Sequence, residues 1–79
     1  MTKLAKPTEQ DVQKAIKTIL ADTKAYKTSL NWAVHYCRAA QQMTGEDLRV
    51  QCLYILNNIT HWRNAEAKGV RDTLKRFTI

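Results

Sequence analysis

The chain has 79 residues, with thirteen Lys and Arg against seven Asp and Glu and a formal net charge of +6. That length holds one domain with a thin core, since a chain of this size buries only about 60% of the surface it exposes when unfolded. Two glycines and one proline are too few turn residues for a sandwich or barrel of many short strands, and the apolar run Leu53-Tyr54-Ile55-Leu56, five residues with Cys52, is too short for a membrane span or a signal-peptide core, so a cytoplasmic location is expected.

Residues 1–7 read as an N-terminal tail and residues 8–79 as one helical domain. The first helix is predicted from residue 8 to about residue 23. Thr8 is the N-cap, Asp11 completes a short capping box, and Pro7 and Val12 occupy the staple positions. Val12, Ala15, Ile16, Ile19 and Leu20 recur at helical spacing, with Lys14, Lys17 and Lys24 on the far side.

The second helix is predicted over residues 29 to 43, capped by Thr28 or Ser29. Leu30, Ala33, Val34, Cys37 and Ala40 form one stripe. A second stripe, Trp32, Tyr36, Ala39 and Met43, lies beside it. Asn31, His35, Arg38 and Gln42 make the polar face. The apolar arc is wider than one neighbouring helix covers.

Thr44-Gly45-Glu46-Asp47 starts the third helix, with Thr44 as cap and Met43 stapled to Leu48. Its stripe is Leu48, Cys52, Ile55, Leu56, Ile59 and Trp62. Val50, Leu53 and Tyr54 add apolar surface on another side, which makes this the expected central helix. A fourth helix follows Asn64, its expected cap, and ends near Phe77, with Ala67, Val70, Leu74 and Phe77 inward and Lys68, Arg71 and Lys75 outward. The rival reading continues the third helix through Lys68 and stops it at Gly69. The fold expected is an all-α, compact four-helix bundle built round an antiparallel hairpin of helices two and three.

Charge is unevenly placed. Residues 1–27 and 63–79 each carry a net +3, and residues 28–62 are neutral. Basic helix faces of this kind suit an anionic partner. Lys14, Lys17, Lys24, Lys68, Arg71, Lys75 and Arg76 are the candidate nucleic-acid contacts, made to the phosphate backbone because the third helix is too apolar to enter a groove. Two plainer readings stand beside this one. A charge of +6 keeps a small protein in solution, and Lys68, Asp72 and Arg76 form an i, i+4 ladder on a solvated helix. Trp32, Tyr36 and Met43 are the candidate protein-interface residues, for a partner protein or a two-fold homodimer.

Chemistry is harder to place. Cys37 and Cys52 fall on core stripes and read as small buried hydrophobes, although facing helices also permit a disulfide. With His35 and His61 they complete a possible four-ligand set, but no CxxC or HxxxH spacing supports zinc. The acids are scattered and the glycines isolated, so neither an acid–base pair nor a phosphate loop is present. No enzyme activity, metal or cofactor is expected.

The run Asp47-Leu48-Arg49-Val50-Gln51-Cys52-Leu53-Tyr54-Ile55-Leu56-Asn57-Asn58-Ile59, then His61-Trp62-Arg63, resembles small uncharacterised proteins of tailed phages and related bacterial mobile elements. Leu30-Asn31-Trp32-Ala33-Val34-His35-Tyr36-Cys37 is similar too, and the likeness spans residues 8 to 77. That resemblance implies a regulator or inhibitor of host machinery, such as an anti-CRISPR-type protein acting on a nucleoprotein complex. It assigns no site residues.

Overall fold

A computed structural model describes residues 6–28 and 30–79. Four α-helices organise them: α1 (Glu9–Ala21), α2 (Asn31–Ala40), α3 (Gly45–Asn57) and α4 (Ala67–Thr78), with a single 3-10 turn at Thr23–Ala25. No strand occurs among the described residues.

The capping box predicted for α1 is present. The Thr8 hydroxyl accepts the Asp11 N–H at 3.1 Å, and the Asp11 carboxylate accepts the Thr8 N–H at 2.9 Å. Two otherwise orphaned donors are satisfied reciprocally, which fixes where the helix begins. The other caps differ from expectation. Thr28 donates its hydroxyl to the Ala25 carbonyl and leaves α2 without a side-chain cap; the alternative cap, Ser29, lies outside the described residues. Thr44 has the extended backbone of an N-cap, yet its side chain makes no cap bond. Glu9, at the start of α1, accepts the Gly45 N–H at 2.7 Å instead. A carboxylate from α1 thus meets the positive end of α3. Gly45 itself has φ +57°, a left-handed backbone that glycine adopts without strain.

Two helices are shorter than predicted. After Ala40 the chain tightens into i to i+3 bonds, Gln42 to Ala39 and Met43 to Ala40, so α2 ends three residues before Met43. At the end of α3 the Asn58 side chain donates to the Tyr54 carbonyl at 2.8 Å. Asparagine competes with the helix ladder in this way, and α3 stops at Asn57. Ile59 and Trp62 therefore sit in the 58–66 connection, not on a helix, and are buried all the same. The rival reading also falls, because Gly69 lies inside α4. Asn64 works as a turn rather than as the cap residue: its Oδ1 accepts the Glu66 N–H at 2.8 Å, its carbonyl accepts the Ala67 N–H, and α4 starts there.

The helices close a ring in which α1 packs on α2, α2 on α3, α3 on α4, and α4 back on α1. Side-chain links show that neighbours run antiparallel. Gln13 near the start of α1 donates to the Ala40 carbonyl at the end of α2, and Arg49 early in α3 reaches the Thr78 carbonyl at the end of α4. This is an all-α four-helix bundle with α2 and α3 as an antiparallel hairpin. Val12, Ile16, Ile19, Leu30, Cys37, Leu48, Cys52, Ile55, Ile59, Trp62 and Leu74 fill its interior. One polar side chain joins them: Gln51, whose Nε2 donates to the Tyr36 carbonyl at 3.0 Å. No buried side-chain N or O among the described residues lacks a partner, as a low-dielectric interior requires. The radius of gyration, 11.7 Å, matches the roughly 12 Å of a folded chain of this length.

Candidate functional site

Ring closure brings the first and last helices together, and with them the two basic ends of the sequence. A shallow groove of about 660 Å³ runs along the α1–α4 seam. Its walls include Lys14 and Thr18 from α1, and Thr73 and Arg76 from α4; Ala15 and Gly69 keep it open. A smaller hollow at the α1 end shares Thr18 and Glu66 with it and carries Lys24. Lys17 on α1 and Lys68 and Lys75 on α4 are exposed nearby in sequence.

Three acids of this side, Asp11, Asp22 and Asp72, are tied into the fold, while Glu66 lines the groove with an exposed side chain. Asp11 is held below the usual carboxylate range, first by the Thr8 backbone N–H and then by the Thr8 hydroxyl and the charges of Lys14 and Arg76. Asp22 is lowered by hydrogen bonds from Asn64 and Trp62. The Trp62 indole N–H reaches its Oδ2 at 2.8 Å and the Asn64 amide at 3.0 Å. Asp72 accepts from Arg76 at 3.3 Å.

Arg71 departs from its predicted place. Its guanidinium turns inward, and Nη1 donates to the carbonyls of Ile59 and Trp62, each at 3.1 Å. These carbonyls lie in the 58–66 connection, where the Ile59 carbonyl also accepts the Trp62 N–H at 3.1 Å, so Arg71 is a fastener of that loop and not an outward cation. The seven predicted basic contacts therefore divide. Lys14, Lys17, Lys24, Lys68 and Lys75 are exposed, Arg76 lines the groove beside Asp72, and Arg71 is structural.

On the opposite side, α2 and α3 present aromatic rings. Trp32 is 65% exposed and Tyr54 49%. Tyr36 is half-buried, and its ring stacks on that of Tyr54 with centroids 5.7 Å apart and planes 25° from parallel. Trp32 packs at a tilt against His35, 6.0 Å between centroids. Met43, predicted to belong to this surface, is half-buried against the core. Tyr54 and Leu53 are members that the sequence reading left in the interior of a central helix. The signal was there: both fall off the Leu48–Cys52–Ile55 stripe when α3 is wound at 100° per residue.

Cys37 and Cys52 are buried free thiols. Burial pushes Cys37 up to about 12, with a further rise from Cys52, and Cys52 up to about 11. Thiols held protonated in this way are poor nucleophiles. His35 and His61 are exposed while both cysteines are interior, so the four residues do not converge. No group of three or more His, Cys, Asp or Glu able to hold a metal occurs among the described residues. Nor is any helix among them long and apolar enough to cross a membrane.

Compared with protein families, with curated proteins and with solved structures, the chain finds no match.

Proposed function

We propose that the chain is a small non-catalytic binding protein whose α1–α4 side takes the phosphate backbone of a nucleic acid. The observation that carries this reading is the division of labour among its charges. The acids Asp11, Asp22 and Asp72 are engaged within the fold. Lys17, Lys68 and Lys75 are exposed and make no ion pair among the described residues. The engaged carboxylates keep their charge, so the positive field of this side comes from the excess of basic residues at the two ends of the chain, +3 over residues 1–27 and +3 over residues 63–79. The shallow groove offers no enclosed pocket for a base, so contacts are to backbone and carry little sequence preference.

The test is binding of random single-stranded and duplex oligonucleotides at two salt concentrations, followed by fluorescence anisotropy. With four or five lysine–phosphate contacts, affinity for duplex should fall roughly 100-fold or more between 50 and 200 mM salt. The triple variant Lys14→Glu, Lys68→Glu, Lys75→Glu should lose binding and keep its helical circular dichroism. Arg71 is excluded from that variant because removing it would loosen the 58–66 loop. No binding at low salt would remove the nucleic-acid reading and favour inhibition of a host protein complex through protein–protein contact.

A further inference from the structure

We propose that the α2–α3 side is a two-fold interface between copies of this chain, centred on Trp32 and Tyr54. Neither α1 nor α4 covers it, since both pack on the other flanks of the hairpin. Of the four large hydrophobic side chains exposed among the described residues, Trp32, Leu53 and Tyr54 belong to these two helices. The largest apolar patch on a small monomer is about 300–600 Å² and is often functional.

The rings are also held in place before any partner arrives. The Tyr36 carbonyl is fixed by Gln51, and Tyr54 lies stacked against the Tyr36 ring. A rigid aromatic anchor loses little conformational entropy on binding, which is where much affinity is otherwise lost.

Charge identifies the occupant. Residues 28–62 carry no net charge in a chain of +6. Two copies meeting through their α1–α4 sides would set lysine against lysine. Meeting through the rings of α2–α3, they keep both basic sides outward, and the exposed charges of these helices, Arg38, Glu46 and Asp47, are of mixed sign. A two-fold contact needs a patch that complements itself, and rings stacking on rings do so without unpaired charge.

Area is consistent with a modest dimer. With aromatic side chains of about 150–250 Å² each, the exposed fractions of Trp32 and Tyr54, together with Leu53, amount to roughly 300 Å² per copy. Over two copies that is about 600 Å², close to the apolar share of an interface at the lower end of the standard 1,200–2,000 Å² range. Asn57 and His61, which share a hollow with Trp32, supply a polar rim.

The experiment is sedimentation of the wild-type chain from micromolar to near-millimolar concentration. The mass should rise from 9.1 kDa towards twice that value. Trp32→Lys and Tyr54→Lys should each weaken self-association by about 30-fold or more, the loss expected at an interface hot spot, with helical circular dichroism unchanged. Lys17→Glu, on the opposite side, should leave it unaltered. If one of the lysine variants fails to fold, the other carries the test. A wild type that stays at 9.1 kDa throughout overturns the proposal, as does a dimer that survives both aromatic substitutions or is dispersed by Lys17→Glu.

Discussion

The two sides of the bundle are built from different materials. On the α1–α4 side, acids and amides are wired to one another over long stretches of chain: Asp22 holds Trp62 and Asn64 from 40 and 42 residues away. On the α2–α3 side the exposed contacts are ring on ring, and the one exposed ion pair, Glu46 with Arg49, is local to α3. The difference follows from ring closure. A sequence with basic ends and a neutral middle becomes, once α4 returns to α1, a molecule with one basic side and one side that carries the exposed rings. Residue totals cannot reveal that arrangement, because they do not say which helices are neighbours.

The largest expected effect lies between the two sides, in the core they share. Ile55 is fully buried, so Ile55→Ala should destabilise the protein by about 2–5 kcal/mol, through lost transfer energy and a residual cavity. Trp32→Ala, on the exposed ring surface, should change monomer stability by no more than about 0.5 kcal/mol. Chemical denaturation of both variants at low protein concentration measures the contrast. Equal losses would show that the α2–α3 rings are part of the core and erase the distinction.

A smaller effect is expected where the sides are joined. Gly45 at φ +57° would be strained as any L-residue with a Cβ, although nothing lies within 4 Å of that position. Gly45→Ala should therefore cost about 1–2 kcal/mol, from backbone conformation alone. Glu9→Gln should cost less, because an amide oxygen still accepts the Gly45 N–H while losing the charge that suits the helix terminus. A neutral Gly45→Ala, measured by thermal unfolding, would mean that the turn between α2 and α3 is not fixed as described.

Much of this fold was legible because its signals are local. The Thr8–Asp11 box, the Val12–Ile19 stripe and the Ala67–Leu74 stripe each need only a few residues and a period of 3.6. What escaped needed partners far away in sequence. Glu9 caps a helix 36 residues on, and no spacing rule connects it to Gly45. Arg71 sits on the outward arc of its helix and is drawn inward by carbonyls of a loop that the reading treated as helix. The burial of Ile59 and Trp62 was predicted correctly while their conformation was not: hydrophobic periodicity reports what is inside, and the Asn57-Asn58 pair that ended α3 was a helix stop left unread. For the candidate site, lysines with no internal duty remained where the wheel placed them, whereas the arginine with more donors was taken by the fold.

Next in size is Gly69, on the groove wall of the charged side. Its added Cβ would meet nothing within 4 Å, and it lies inside α4. Gly69→Ala should stabilise the protein by about 0.5–1 kcal/mol by lowering the entropy of the unfolded chain. Because no lysine moves, nucleic-acid affinity and its salt dependence should be unchanged. A loss of stability would indicate that α4 packs on α1 more closely than the open groove implies.

The smallest effect concerns acid, and it separates the sides by the kind of contact each uses. Asp22 and Glu46 are both held below their ordinary range, Asp22 by Asn64 and Trp62 and Glu46 by Arg49. A carboxylate whose folded pKa is lowered stabilises the fold above its unfolded pKa, near 4, and that stabilisation is lost as pH falls through the lower, folded value. Protonating Glu46 releases a pair three residues apart on an exposed helix, worth little in water. Protonating Asp22 removes the charge that strengthens the hydrogen bonds tying the 58–66 loop to the end of α1, leaving a weaker neutral oxygen to accept from the Trp62 indole. Trp62 is 1% exposed and Trp32 65%, so iodide or acrylamide quenching distinguishes them. As pH falls below about 4 the protected fraction of the emission should become accessible before helical circular dichroism is lost. Asp22→Asn keeps an oxygen to accept from the indole but has no proton to gain, so its Trp62 protection should be flat through the same range. If the wild type and Asp22→Asn lose protection at the same pH, the loop is held by Arg71 and apolar burial, and the wiring of the charged side is weaker than its hydrogen bonds imply.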